Sequence, residues 1–214
     1  MLNRGEVYRH YRNCGLAIKL YLRIKLRICP FQALETYFPR AGKVIDLGCG
    51  NGVFSNLLKL GSPSREILGF DLDPKKIKTA REVHKEIPGL EFRVSNITDM
   101  DYPMSDVISM IDVLYLIPYP RQEAMLRKCH GALTKGGVLI LKDMDTQPRW
   151  KYLWNIFQET LAVKIIGFTH GNKLYFRTRS EYLRLLEGIG FRVRPISLDK
   201  SYWYPHVLFI AVKE

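Results

Sequence analysis

The chain has no run of apolar residues long enough to cross a bilayer as a helix. Roughly 18 to 20 are needed, and the longest here, such as Val207–Val212, are strand-sized. It has only four cysteines, at 14, 29, 49 and 129, with no C-x-x-C pair and no Cys/His spacing that suits zinc. No disulfide framework and no metal site are expected, and free thiols in a reducing cytoplasm are the reading that follows. Arg and Lys interrupt the first apolar residues and no small-residue cleavage site follows them, so a secretory signal is not expected. Internal repeats, low-complexity tracts and Gly/Ser linkers are missing as well. With 214 residues, 47% of them hydrophobic, a disordered chain is excluded. One globular unit burying about 70% of its unfolded surface fits the length.

Acidic residues are also scarce: 21 Asp and Glu face 33 Lys and Arg, a net charge of +12. The imbalance is uneven. Residues 1–30 contain Arg4, Arg9, Arg12, Lys19, Arg23, Lys25 and Arg27 against Glu6 alone. Such a block suits an anionic partner, whether a membrane surface, an acidic carrier or nucleic acid, and is equally compatible with a solvated basic face.

Short β-rich runs alternate with amphipathic segments, the pattern of βαβ units. Strands are expected at Lys43–Asp46, Glu66–Asp71, Leu90–Asn96, Asp106–Ile111 and Val138–Lys142. Helices are expected at Val53–Leu60, from Pro74 behind an Asp73 cap, at Pro120–Leu133 and at Ser180–Gly188. Phe191–Leu198 and Val207–Val212 lie close in sequence, which makes them an antiparallel pair. The expected fold is α/β: a doubly wound, mostly parallel seven-stranded sheet with a C-terminal antiparallel hairpin and helices on both faces.

Residues 1–39 form a basic N-terminal cap segment in this scheme and 40–214 the main domain, with 144–179 as an aromatic-rich insert holding Trp150, Trp154 and Phe157. Lys19–Ile28 alternates apolar and basic residues with a period of two, a strand signal. A lone strand there has no evident partner, so helix is preferred.

The chemistry is concentrated at Asp46-Leu47-Gly48-Cys49-Gly50-Asn51-Gly52. Closely spaced glycines let the backbone turn sharply, so that a ligand can approach the main chain. Asp46 beside that turn would repel a pyrophosphate and attract a cationic ammonium or sulfonium. The G-x-G-x-G spacing also differs from the G-x-G-x-x-G of dinucleotide sites. Asp71, at the end of the second strand, is placed to accept two ribose hydroxyls.

Val44–Gly52 resembles motif I of class I S-adenosylmethionine-dependent methyltransferases, and the resemblance extends from Pro30 to Val212 with the motifs in the family's order. The resemblance implies S-adenosyl-L-methionine as cofactor, bound by Asp46, Gly48, Gly50, Asn51, Asp71, Leu72, Asn96, Ile97 and Asp112. In it Asp71 holds the ribose, Leu72 and Ile97 pack on adenine, and Asn96 stands where the family commonly has Asp, with Asp99 as the fallback. Asp112-Val113-Leu114-Tyr115 occupies the motif IV position without the N/D-P-P-Y/F tetrapeptide of amino-methylating DNA and RNA enzymes, and the cysteine pair of RNA cytosine-C5 enzymes is missing.

Methyl transfer needs a general base only if the acceptor must lose a proton. Asp143, His170 and Tyr115 are the candidates, though each residue type more often has a structural duty at such positions. The insert and the N-terminal segment are where this family builds its acceptor pocket. Aromatic residues beside a basic segment point to a hydrophobic small molecule or carrier-bound acyl or aryl acceptor, with peripheral contact to an anionic membrane. An RNA methyltransferase and a non-catalytic scaffold of the same fold stay open as alternatives.

Overall fold

The computed structural model describes residues 4–145, 174–198 and 205–214. Three helices lead, α1 (Arg4–His10), α2 (Leu16–Ile28) and α3 (Phe31–Glu35). The alternating frame follows: β1 (Gly42–Leu47), α4 (Val53–Gly61), β2 (Arg65–Asp71), α5 (Pro74–His84), β3 (Leu90–Val94), β4 (Ser105–Ile111), α6 (Tyr119–Ala132) and β5 (Leu133–Met144). After the insert come α7 (Arg179–Ile189), β6 (Phe191–Ser197) and β7 (His206–Lys213).

The strands form one sheet in the order β3-β2-β1-β4-β5-β7-β6. The five strands from β3 to β5 are parallel, and β7 lies antiparallel between β5 and β6. This is the mixed, doubly wound sheet expected from the sequence. Strand order reverses at β1 and β4, and ligands of open α/β sheets sit in the crevice outside the carboxyl ends of the strands at such a point.

Alternation along the strands assigns two cores. Ile45, Leu47, Ile108, Met110, Leu139 and Leu141 face α6 and α7, where Met125, Leu126, Tyr182 and Leu186 cover them. Val44, Ile67, Val107 and Ile140 face the other way, against Phe54, Leu57, Leu58 and Ile77 of α4 and α5. The N-terminal helices join this second core through Tyr11, Leu22, Leu26 and Leu34. Arg65 and Glu35 seal the junction: both are buried, their ion pair is 2.8 Å long, and Arg65 also donates to the carbonyls of Phe38, Pro39 and Leu58.

The ambiguous segment Lys19–Ile28 is helical, within α2. Its inward positions Leu22 and Leu26 are four apart and stack on one face, which outweighs the period-two alternation. The Asp73 cap is present as expected, accepting from the N–H groups of Lys75 and Lys76 ahead of a helix that opens on Pro74. Most of the insert, with Trp150, Trp154, Phe157 and His170, lies outside the described residues.

Candidate active site

The loop after β1 is held from beneath. Gly48 and Cys49 donate their N–H groups to the carbonyl of Phe70 at 2.7 and 3.0 Å, fixing the loop to the end of β2. Gly48 has φ +77, and a Cβ there would overlap Val113 in the segment after β4, so only glycine fits. Gly50 has φ +56 but meets nothing within 4 Å of its Cβ position. The space a side chain would take there is open at the switch point, a cradle with room for a ligand.

Asp71 braces that cradle. One carboxylate oxygen accepts from Gly50 N–H at 2.8 Å and the other from Asp73 N–H at 2.9 Å, so it joins the turns after β1 and β2. The two oxygens of a carboxylate offer about four acceptor sites, which leaves capacity for two hydroxyls. Leu72 beside it is 51% exposed, and Ile97 is buried under the turn after β3. Asn96 is half-buried, accepting from the Thr98 backbone and hydroxyl and donating to Asp99 at 2.6 Å.

Asp46 reaches the same loop from the interior. Its oxygens accept from Ser55 of α4 at 2.6 Å and Ser109 of β4 at 2.8 Å. Burial pushes its carboxyl above the ordinary value, while the two serines pull it back. Asp46 thus ties β1, β4 and α4 together beneath the glycines, instead of standing beside the turn as a bare charge.

Asp112 leaves β4 with φ +59, the one described non-glycine residue with positive φ. Its carboxylate is nearly buried and pairs with Lys142 of β5, which is fully buried, and with Lys25 of α2 at 2.7 Å. The Cys29 thiol donates to it at 3.8 Å. Burial opposes ionisation of Asp112, but the two ammonium groups win and hold its carboxyl far below the usual carboxylate range. Burial pushes the Cys29 thiol up to about 12 and His206, on β7, down to about 3.

Asp143 follows Lys142 and therefore faces the opposite side of the sheet. It is 1% exposed; Tyr182 of α7 donates to one oxygen and Met144 N–H to the other at 2.7 Å. Burial lifts its carboxyl to about 7. Tyr115 is buried in a single 3-10 turn, Leu114–Leu116, with its ring stacked on Phe176 at 4.8 Å. The structure therefore brings Asp46, Gly48, Gly50, Asn51, Asp71 and Asp112 to the carboxyl ends of the neighbouring strands β1, β2 and β4, and sets Asp143 and Tyr115 under α7 and the returning chain. His170 lies outside the described residues.

A family model described as a methyltransferase domain matches residues 40–186, more than half of the chain. The chain belongs to the methyltransferase domain family. It is similar to the ubiquinone biosynthesis O-methyltransferase of Xanthomonas axonopodis pv. citri, 27% identical over 74% of this chain and 66% of that one. The N,N-dimethyltransferase OxyT of Streptomyces rimosus is 30% identical over 72% of this chain and 44% of its own. Among solved structures, a Burkholderia thailandensis O-methyltransferase family protein has TM-score 0.73 at 17% identity, covering 96% of this chain and 62% of that one. The magnesium protoporphyrin IX methyltransferase of Synechocystis, solved with bound SAH, has TM-score 0.69 at 17% identity and covers 98% and 94%. At such identities the structures show the fold. The chain spans slightly less than two thirds of the Xanthomonas enzyme and of the Burkholderia protein.

Sequence reading missed Lys142 and Gln122 of this methyltransferase domain, and Tyr11 and Lys25 of the segment that precedes it. Lys142 carried a signal: a lysine directly after the run Val138-Leu139-Ile140-Leu141, on a strand with neighbours on both sides, has no solvent to reach. Tyr11 donates its hydroxyl to the Asn51 carbonyl at 2.8 Å, bringing α1 onto the glycine loop. The Gln122 amide nitrogen is buried within 3.0 Å of the carbonyls of Leu114, Ile117 and Tyr175, which share its two hydrogens. The Tyr11–Asn51 and Lys25–Asp112 contacts, 40 and 87 residues apart, left no local trace.

Proposed function

We propose that this protein binds S-adenosylmethionine at the β1–β4 switch point and methylates a small hydrophobic acceptor, lipid-like, acyl or aryl, by in-line transfer. The observation that carries this reading is the open side-chain position at Gly50, braced by an Asp71 carboxylate with acceptor sites to spare. Asp71 would take the ribose hydroxyls, Leu72 and Ile97 the adenine faces, and Asn96 or Asp99 the adenine amino group. Gly48, Gly50 and Asn51 would present backbone to the cofactor, with Asp46 bracing the loop beneath and Asp112 at the motif IV edge. The bound cofactor supplies a methyl group already activated on a sulfonium.

The chain's own work is then alignment, for which proximity is worth up to about 7–11 kcal/mol in the best intramolecular cases. Asp143, Tyr115 and His170 stand as base candidates only for an acceptor that must lose a proton. The acceptor side would be the crevice beyond Asp112, with 1–39 as cap segment, 40–214 as the catalytic domain and the insert at 144–179 completing the pocket. The names of the Xanthomonas and Streptomyces relatives support a small-molecule acceptor. Peripheral contact of the basic N-terminal segment with an anionic membrane, in the cytoplasm, belongs to the same proposal. Four unpaired cysteines fit that compartment, and no described helix is long and apolar enough to cross a membrane.

Calorimetry with S-adenosylhomocysteine tests the reading. The wild type should bind it without added metal. Asp71→Ala should weaken binding by about 1–3 kcal/mol, the loss expected for charge-assisted hydrogen bonds. Heat of binding missing in the wild type would remove the proposal.

A further inference from the structure

Helix α2 is apolar on the wrong side for a helix that only packs on its own domain. Its inner face is complete: Leu22 and Leu26 are buried in the core shared with α4, and Lys25 reaches Asp112. Its outer face carries Leu16 at 78% exposure, Leu20 at 55% and Ile24 at 49%. These three are spaced four apart, so they form one stripe about 12 Å long at 1.5 Å per residue. Scattered single exposed apolar residues are ordinary on protein surfaces; three large aliphatic residues in register on one helix are an interaction surface.

The flanks of the stripe identify its partner. Arg23 and Arg27 are exposed on the same face and Lys19 lies at its margin. No Asp or Glu occurs between Glu6 and Glu35. A second copy of this chain would set Arg23 and Arg27 against their own equivalents, which disfavours self-association through the stripe. An aliphatic stripe bordered by Arg and Lys matches a bilayer surface of anionic lipid, where leucine and isoleucine enter the acyl boundary while guanidinium groups meet phosphates.

We infer that the outer face of α2, through Leu16, Leu20 and Ile24 with Arg23 and Arg27, docks the protein on an anionic lipid bilayer. The inference deepens the proposed membrane contact by giving it a location, and it needs no methyl transfer to be true. One helix then holds both functions. Its inner side ends at Asp112 on the acceptor edge and its outer side lies on the lipid, so a lipid-soluble acceptor has a short path from bilayer to site.

Vesicle sedimentation of the full chain tests this, with phosphatidylcholine alone and with a quarter phosphatidylglycerol, at 0.1 and 1 M salt. Wild-type protein should pellet with the anionic vesicles. Binding should fall at high salt, where the Debye length shrinks from about 10 Å to about 3 Å. Leu20→Glu with Ile24→Glu, and separately Arg23→Gln with Arg27→Gln, should each weaken binding about tenfold or more, since either half of the surface is removed. All four positions are exposed, so S-adenosylhomocysteine affinity, measured on the same preparations, should stay within about twofold if the fold is kept. That readout separates a lost docking surface from a failure of the cofactor reading. Negligible binding to anionic vesicles overturns the inference, as does binding unchanged by L20E/I24E. A dimer in sedimentation velocity that L20E/I24E dissolves overturns it too, by assigning the stripe to a second copy.

Discussion

Lys142, fully buried in β5, ends on Asp112, the residue that leaves β4 in a left-handed conformation. Two neighbouring parallel strands thus place opposite charges side by side at their carboxyl ends, and α2 adds Lys25 to the same carboxylate. Breaking such a group from one side leaves buried charge without a counterion, at a cost of about 3–5 kcal/mol. Asp112→Asn is the clean test, because asparagine tolerates positive φ about as well as aspartate. Urea unfolding should show a loss of that order. Lys142→Met, which leaves Lys25 on Asp112, should lose less, and the double variant should recover part of the Asp112→Asn deficit. Strict additivity of the two losses would show that the charges do not form a unit.

Asp143 behaves oppositely with pH. Its folded carboxyl is raised to about 7 by burial from an ordinary value near 4. The stability it contributes is therefore fully present below about pH 4 and lost as pH rises through about 7, on the order of 4 kcal/mol over the whole span. His84 and His206 work the other way. Burial depresses them to about 4 and about 3, so their share is present above about pH 6.5 and lost as pH falls through those values. The slopes partly cancel in the wild type, which makes the difference between proteins the useful quantity. Asp143→Asn, compared with wild type in urea at pH 5 and pH 8, should gain relative stability at the higher pH. A difference independent of pH would contradict the burial argument.

The mixed, mostly parallel character of the sheet and most element positions could be read in advance because each rests on local signals. Gly48 to Gly52 mark the first turn, Asp73-Pro74 caps α5, and strands β1, β2 and β4 are short apolar runs with polar ends. Asp71 was legible as a strand-end carboxylate, although not as a brace for Gly50. What was not legible depends on distance in the chain. The Lys25–Asp112 pair spans 87 residues and the Tyr11–Asn51 bond 40, and no spacing rule reaches that far. Asp46 was placed correctly on its strand. Its partners could not be read, since Ser55 and Ser109 look like ordinary helix and strand residues.

The glycines of the loop should separate by function. Gly48→Ala drives a Cβ into Val113, so Tm should fall sharply and the soluble yield with it. Gly50→Ala meets no atom within 4 Å, and its penalty is the left-handed backbone alone, about 1–2 kcal/mol. The same Cβ would stand in the cradle. Gly50→Ala should therefore remain folded and lose most of its affinity for S-adenosylhomocysteine. Affinity retained by a folded Gly50→Ala would show that the ligand does not approach that backbone.

Tyr11 decides whether the N-terminal segment acts only at the surface or also at the cofactor loop. Its side chain is fully buried, and its hydroxyl meets the Asn51 carbonyl in the middle of the glycine turn. Tyr11→Phe keeps the ring and removes the donor, leaving that carbonyl without this partner at a cost of about 1–3 kcal/mol. The loss should appear in two measurements: a lower unfolding midpoint, and weaker cofactor binding because Asn51 is no longer held. Leu20→Glu, on the outer face of α2, should change neither. Deleting residues 1–29 goes further, since it removes Leu22 and Leu26 from the core and Lys25 from Asp112. The truncated chain should lose cofactor affinity together with stability, because its glycine loop and its Asp112 edge both lose their outer support. A truncated chain that folded and bound S-adenosylhomocysteine as tightly as the full protein would leave the N-terminal helices no role at the glycine loop, and only the proposed membrane contact would remain for them.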